Sequence, residues 1–318
     1  MPGGRARSHE AVDGRVSGRV ILAGGTGFVG QALAKALIAI GNEVVTLSRR
    51  KHDSKDTQSL EWDGETLGTW SAILEGAEAV INLSGAPVLL PWTESNKRLI
   101  LESRVKSTEV IGKAIRQCRT APKVWINASA VGYYGSRGDE ELTETSSAGT
   151  GFLAETCLAW ERAQLEVDTP ETRKVQVRIG MVLGRDGGAF PELAKVTRRM
   201  LGGAQGSGKQ WMPWIHVEDL NALILWAMTS DIVGPINGVG PHPARNGELM
   251  AELRKVLHRP WSPPAPAFAL KLVGSLIGKQ MDPLLDSARA LPKVAISHGF
   301  RFQHPVLDET LKDLIAKS

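Results

Sequence analysis

The chain has 318 residues, a formal net charge of +4 and a pI near 9.1, with 42% hydrophobic and 23% charged residues. That length supports one large or two ordinary domains with a substantial core. The mild charge, carried by both signs along the whole sequence, argues against a nucleic-acid partner, and two cysteines (Cys118 and Cys157) in no ligand-like spacing exclude a disulfide framework and a zinc site.

Residues 1–17 are polar and glycine-rich, with Arg5, Arg7 and Arg15 and no apolar core of a signal peptide. They read as a disordered tail, and the chain as cytoplasmic. Residues 20–23 then read as a buried parallel strand, and a helix opens at Gln31. Between them, Gly24, Gly25, Thr26, Gly27, Phe28, Val29 and Gly30 satisfy two overlapping glycine spacings, G-x-G-x-x-G and G-x-x-G-x-x-G. One glycine permits the tight turn, one lets the backbone approach a pyrophosphate, and one brings helix and strand together. Strand, turn and helix stand in the order that a dinucleotide cradle requires, with free N–H groups and the positive helix end favouring phosphates.

Further strands are expected at 43–48, 59–62, 79–83, 123–129 and 175–179, with helices over 93–118 and 152–167. Alternating strands and helices imply βαβ units, hence a doubly wound parallel sheet of the Rossmann type. Past Gly184 a glycine cluster brackets one helix, and another is expected over 217–229. From residue 241 on, proline-rich joints separate helical patterns, with a strand-like Phe300-Arg301-Phe302. The division is therefore 18–240 for a dinucleotide-binding domain and 241–318 for a small, mostly helical domain capping the substrate. The most apolar run, 265–278, is too short to span a bilayer and carries Lys271, so no membrane partner is expected.

NAD-selective sites place an acidic residue about twenty positions past the glycine turn. Here the second strand ends in Ser48-Arg49-Arg50-Lys51. A guanidinium and a hydroxyl suit a 2′-phosphate, which selects NADP(H). The segment 203–209 fits the G-x-x-x-x-G-K spacing of a triphosphate loop. Gln210 replaces its magnesium-binding hydroxyl, and Trp211-Met212-Pro213 follows where a helix should start, so it is read instead as a flexible loop beside the cleft.

The glycine turn, Asn82-Leu83-Ser84-Gly85-Ala86-Pro87 and Ser129-Ala130-Val131-Gly132-Tyr133-Tyr134-Gly135 together resemble the extended short-chain dehydrogenase/reductase superfamily. More narrowly, they resemble its atypical epimerase-like branch with a distinctive C-terminal domain. Ser103-Arg104-Val105, the block 206–210 with Trp214-Ile215-His216, and Arg289-Ala290-Leu291-Pro292-Lys293 extend the match. The resemblance implies that Ser48 and Arg49 hold the adenosine phosphate and that Leu83, Ser84 and Gly85 line the path of the adenosine and pyrophosphate. It also implies that Arg104 reaches the cofactor from the long helix and that Val182 contacts the nicotinamide end.

One departure is plain. The Tyr-x-x-x-Lys pair that superfamily members use for proton exchange is absent: the two tyrosines precede the helix, and no register recovers the pair. What remains is Ser129 at the end of the fifth strand, polarising a substrate oxygen, with Tyr133 or Tyr134 as a proton donor or as packing. Cys157 reads as core, and His216 as a structural residue before a helix whose first turn Glu218 or Asp219 caps or charges. The expectation is an oxidoreductase or epimerase acting on a small carbonyl or sugar-like substrate. The alternative is a non-catalytic dinucleotide sensor or scaffold, since some relatives of this branch are associated with bacterial or plastid division.

Overall fold

The computed structural model describes residues 18–51 and 57–316; the tail expected over 1–17 lies outside them. Its sheet is built from β1 (Arg19–Ala23), β2 (Glu43–Ser48), β3 (Gln58–Glu61), β4 (Ala79–Asn82), β5 (Val124–Ala130), β6 (Arg173–Ile179) and β7 (Gly234–Gly238). The seven strands run in the order β7-β6-β5-β4-β1-β2-β3, and every pairing is parallel. The helices are α1 (Phe28–Ala39), α2 (Glu94–Gln117), α3 (Phe152–Leu165), α4 (Phe190–Arg198), α5 (Val217–Thr229), α6 (Asn246–Val256), α7 (Ala267–Leu276), α8 (Lys293–Ser297) and α9 (Leu307–Ala316).

Both faces of the sheet are covered, which is why its strands read as continuous apolar runs. On one face Leu33 and Leu37 of α1 join Leu220, Leu223 and Ile224 of α5 over Val20, Leu22 and Ile81. On the other, Val110, Ile111 and Ala114 of α2 cover Ile21, Val80 and Trp125. Thr93 starts α2 as its N-cap by accepting from Asn96 N at 3.2 Å, which satisfies an otherwise orphaned amide. The C-terminal region is mostly helical. There α6 and α9 bury Leu249, Met250, Leu253, Leu311 and Leu314 beside Phe190 and Trp214. It ties back to the sheet layer through Asp219, whose carboxylate accepts from Gln303 N at 2.7 Å and His304 N at 2.9 Å.

Two expectations change. Strand β7 was not anticipated, because Gly-Pro-Ile-Asn-Gly is turn chemistry by composition; an edge strand tolerates proline, and β6 supplies the partner. Phe300-Arg301-Phe302 is not a strand. Its rings pack as a loop, Phe300 lying 5.7 Å from Trp226 on α5 and 4.9 Å from Phe302.

The strand order reverses between β1 and β4, which opens a crevice at their C-terminal ends, the usual ligand position in such sheets. Among the described residues, no helix is long and apolar enough to cross a membrane.

A Cβ on Gly30 would lie 2.6 Å from both Gly24 O and Gly25 Cα, backbone atoms that cannot swing aside. Gly30→Ala should therefore push α1 off β1 and lower stability by about 1–3 kcal/mol in urea unfolding; an unchanged midpoint would refute the close approach.

Candidate functional site: the crevice at the β1–β4 switch point

Gly24, at φ +77°, carries the chain out of β1, and a Cβ there would sit 2.8 Å from Leu83 C and 2.9 Å from Ser84 N. The glycine turn and the end of β4 therefore touch backbone to backbone. Gly27 differs: with φ −75° its nearest neighbour to a built Cβ is Gly24 O at 3.6 Å, an ordinary contact rather than a clash, and Thr26 and Gly27 are exposed. Gly27 is also the N-cap of α1, with no side-chain cap and no acidic residue in the first turn. The first-turn amides thus have neither an intrahelical acceptor nor a capping oxygen, and the helix dipole favours an anion there. Phe28 points the other way. Its ring fills the space that side chains on Gly184 and Gly187 would occupy, each built Cβ falling 2.3 Å from it. This contact draws the hairpin carrying Val182 against the start of α1.

At the end of β2, Ser48 is buried and its hydroxyl donates to the Arg50 carbonyl, while Arg49 is exposed. Arg49 stands on the wall of a cavity of about 460 Å³, with Glu61, Trp62, Asp63, Thr66 and Trp70. Glu61 ends β3 and the others follow it; none is among the site residues expected from the sequence. Trp62 and Trp70 meet edge to face at 5.3 Å. Asp63 is occupied by its own turn: hydrogen bonds from Thr66, side chain first, then from the Thr66 and Glu65 amides, hold its carboxyl at about 2. The only signal for this wall was the Trp-Asp pair closing a short, weakly patterned strand.

Beyond β4, Ser84 N donates to Asn82 Oδ1 at 3.0 Å, and Asn82 Nδ2 donates to Asn127 Oδ1 at 2.8 Å, linking the ends of β4 and β5. Arg104 reaches this point from α2. It is 9% exposed, donates Nη1 to Ile100 O at 2.8 Å and lies 5.1 Å from the Trp160 ring. Gly85 makes room for it, since a Cβ there would lie 2.9 Å from the guanidinium carbon. Burial pushes the Arg104 pKa down, and among the described residues no carboxylate pairs with it. A buried cation without a counter-charge is costly, and an anionic or polar ligand in the crevice would offset that cost.

The residues proposed for chemistry form a buried network beneath the same crevice. Ser129 Oγ lies 2.7 Å from Glu161 Oε1, and Arg178 holds that carboxylate bidentately at 2.8 and 2.9 Å. A carboxylate only accepts, so Ser129 donates. To polarise a substrate oxygen, as expected from the sequence, it would have to give up this bond. Arg178 also donates to the Tyr134 hydroxyl at 3.1 Å and sits 3.4 Å from the Tyr133 ring centre. Tyr134 is fully buried and shares its proton between Asn237 Oδ1 at 2.7 Å and Thr143 O at 3.0 Å. Burial pushes its pKa up to about 12. It is a strut joining β6 to β7. Tyr133 is only partly buried, and among the described residues no hydrogen bond engages its hydroxyl. Cys157 is core, its thiol pushed up to about 11 by burial.

Two other sequence readings resolve here. His216 caps α5 itself, its Nδ1 accepting from Glu218 N at 3.2 Å; Glu218 and Asp219 charge the first turn as expected, and Asp219 also holds the C-terminal segment. The 203–209 loop is tied down by Gln205 N to Asn246 Oδ1 at 2.7 Å and Gly206 N to Ala265 O at 2.9 Å, so it is not a loose flap.

Comparison with known proteins agrees with this geometry. Residues 20–239 match the model of the NAD dependent epimerase/dehydratase family, and residues 265–314 match a domain of unknown function, DUF1731. The chain is 35% identical to the epimerase family protein SDR39U1 homolog, chloroplastic, of Arabidopsis thaliana, over 93% of this chain and 86% of that protein. It is 35% identical to the epimerase family protein YfhF of Bacillus subtilis, over 93% and 98% respectively. The crystal structure of human epimerase family protein SDR39U1 (isoform 2) with NADPH superposes with a TM-score of 0.85 at 32% identity, covering 94% of this chain and all of that one.

Tyr134 supplies a pH test. Its folded pKa is raised from 10.0 to about 12, so the stability it contributes is complete below pH 10 and is lost as pH rises through 12. Wild-type protein should lose about 2–3 kcal/mol across that window. Tyr134→Phe should flatten that part of the profile in chemical unfolding and cost about 1–3 kcal/mol at neutral pH; an unchanged slope would show that the hydroxyl is not buried.

Proposed function

The chain belongs to the NAD dependent epimerase/dehydratase family, and on that premise we propose that it is an NADP(H)-dependent oxidoreductase or epimerase acting on a small carbonyl or sugar-like substrate. The observation that carries this reading is the glycine turn at the uncapped start of α1, in backbone contact with the end of β4, where buried Arg104 packs beside Gly85 with no carboxylate partner among the described residues. The amides of Phe28, Val29 and Gly30 would take the pyrophosphate, Arg49 the adenosine phosphate, and Leu83, Ser84 and Gly85 the wall between them. Arg104 would meet the cofactor from beneath, and Val182 would border the nicotinamide end. Bound NADP(H) supplies or accepts a hydride.

The protein's own groups must manage the proton. Ser129, its proton committed to Glu161, meets a substrate hydroxyl as an acceptor. Tyr133 is the tyrosine left to exchange a proton, with the Arg178 guanidinium against its ring. A second reading, a non-catalytic dinucleotide sensor, is supported by the commitment of Ser129 and Tyr134 to the buried network and by the missing Tyr-x-x-x-Lys pair.

Titration of NADPH and NADH fluorescence tests the cofactor assignment. Arg49→Glu should weaken NADPH roughly tenfold to a hundredfold while barely changing NADH; equal losses would refute it. Gly27→Ala, tolerated by its φ and by the 3.6 Å clearance, should leave the melting temperature unchanged yet weaken both nucleotides at least tenfold, through a methyl placed where the pyrophosphate passes. Catalysis is tested by NADPH oxidation against a panel of aldehydes, ketones and keto-sugars. Tyr133→Phe should abolish turnover with cofactor affinity intact, whereas retained NADPH that no carbonyl oxidises favours the sensor.

A further inference from the structure

The net charge of +4 conceals a segregated surface. Residues 195–209 and 254–279 together carry nine Lys and Arg and no Asp or Glu, so the remainder of the chain is net negative. The fold brings these two segments together. Ala265 N donates to Ala204 O at 2.8 Å, the Arg254 guanidinium donates to Gly202 O, and a Cβ on Gly203 would fall 1.8 Å from Pro263 O. Arg198, Arg199 and Arg259 are exposed and, among the described residues, enter no ion pair. Lys255 and Lys271 are partly offset by Glu252 at 3.1 Å and Asp282 at 2.7 Å.

The same two segments expose large apolar side chains. Leu201 is 68% exposed, Trp261 74%, Phe268 75%, Leu272 62%, Leu276 79% and Ile277 56%. Phe268, Leu272 and Leu276 fall at i, i+4 and i+8, so they share one side of α7. Gly274 turns the other way, against Lys279 O and Met281. Most of this short helix therefore stands on the outside of the protein.

We propose that this face is a peripheral membrane-binding surface. Helix α7 lies in the plane of the interface with Phe268, Leu272 and Leu276 among the acyl chains, and the arginines rest on anionic headgroups. Charge complementarity favours an anionic bilayer: exposed aromatic and aliphatic groups lie on two touching segments that carry nine basic residues and no acid of their own, the composition of an interfacial anchor. A second copy of the chain fits less well, because a two-fold contact on this face would set the arginines against their own copies. A membrane-binding face departs from the sequence-based expectation of no membrane partner, which rested on span length; ten helical residues are too few to cross a bilayer but enough to lie on one.

Co-sedimentation of the full chain with phosphatidylcholine vesicles, with and without phosphatidylserine, tests this. Binding should require phosphatidylserine and fall with added salt. Arg198→Ala combined with Arg199→Ala should reduce partitioning roughly tenfold or more. Leu272→Asp with Leu276→Asp should reduce it as far, and both pairs, being exposed, should keep the wild-type circular-dichroism melt. The proposal fails if phosphatidylserine vesicles bring down no protein, or if neither pair alters binding. It fails equally if sedimentation equilibrium reveals a dimer that Leu276→Asp dissociates, since the face then belongs to a second copy.

Discussion

The crevice depends on backbone meeting backbone where a side chain would intervene. Gly24 presses on the end of β4 and Gly30 on the turn itself, so β1, α1 and β4 converge to within van der Waals contact. A Cβ on Gly27, between them, would meet only Gly24 O, at an ordinary 3.6 Å. The tight contacts on either side fix the position of Gly27, and the uncapped start of α1 gives the turn its polarity. A substitution at Gly24 or Gly30 therefore acts on the fold, whereas a Cβ at Gly27 meets no backbone closer than an ordinary contact.

Beneath the crevice the polar groups are arranged as a connected network. Glu161 and Arg178 neutralise each other; Ser129, Tyr134 and Asn237 satisfy what is left. Breaking such a pair by removing one partner is expensive, about 3–5 kcal/mol, because the survivor stays charged and buried. The network also joins β5, β6, β7 and α3, which explains why Asn237 on an edge strand of turn-like composition is held so firmly. Where the superfamily keeps a mobile proton on its tyrosine, this chain commits the buried hydroxyls of Ser129 and Tyr134 to hydrogen bonds within the protein.

Arg104 contrasts with that pair. It is also buried, yet its compensation is a carbonyl, an aromatic face and a glycine that leaves it room. Arg178 is complete within the protein; Arg104 is not, and it faces the switch point. That difference sets apart two buried arginines, one with its counter-charge inside the protein and one without a carboxylate partner among the described residues.

The glycine spacing, the alternation of apolar strands with helices and the basic end of β2 are local patterns; from them the sequence alone determined the Rossmann-type sheet and named the residues proposed to contact phosphate. It also determined that the Tyr-x-x-x-Lys pair is missing, since that pair is defined by spacing on one helix. Only the tertiary structure decided that Tyr134 is a strut and Tyr133 is not, because burial depends on Asn237, which lies on a strand that composition disguises. It likewise turned Phe300 and Phe302 from an alternating strand into packing against α5, and gathered two distant acid-free segments into one basic, apolar face. The physical reason is common to all of these: local periodicity reports which way a side chain points along its own element, but its partners are set by contacts between residues far apart in the chain.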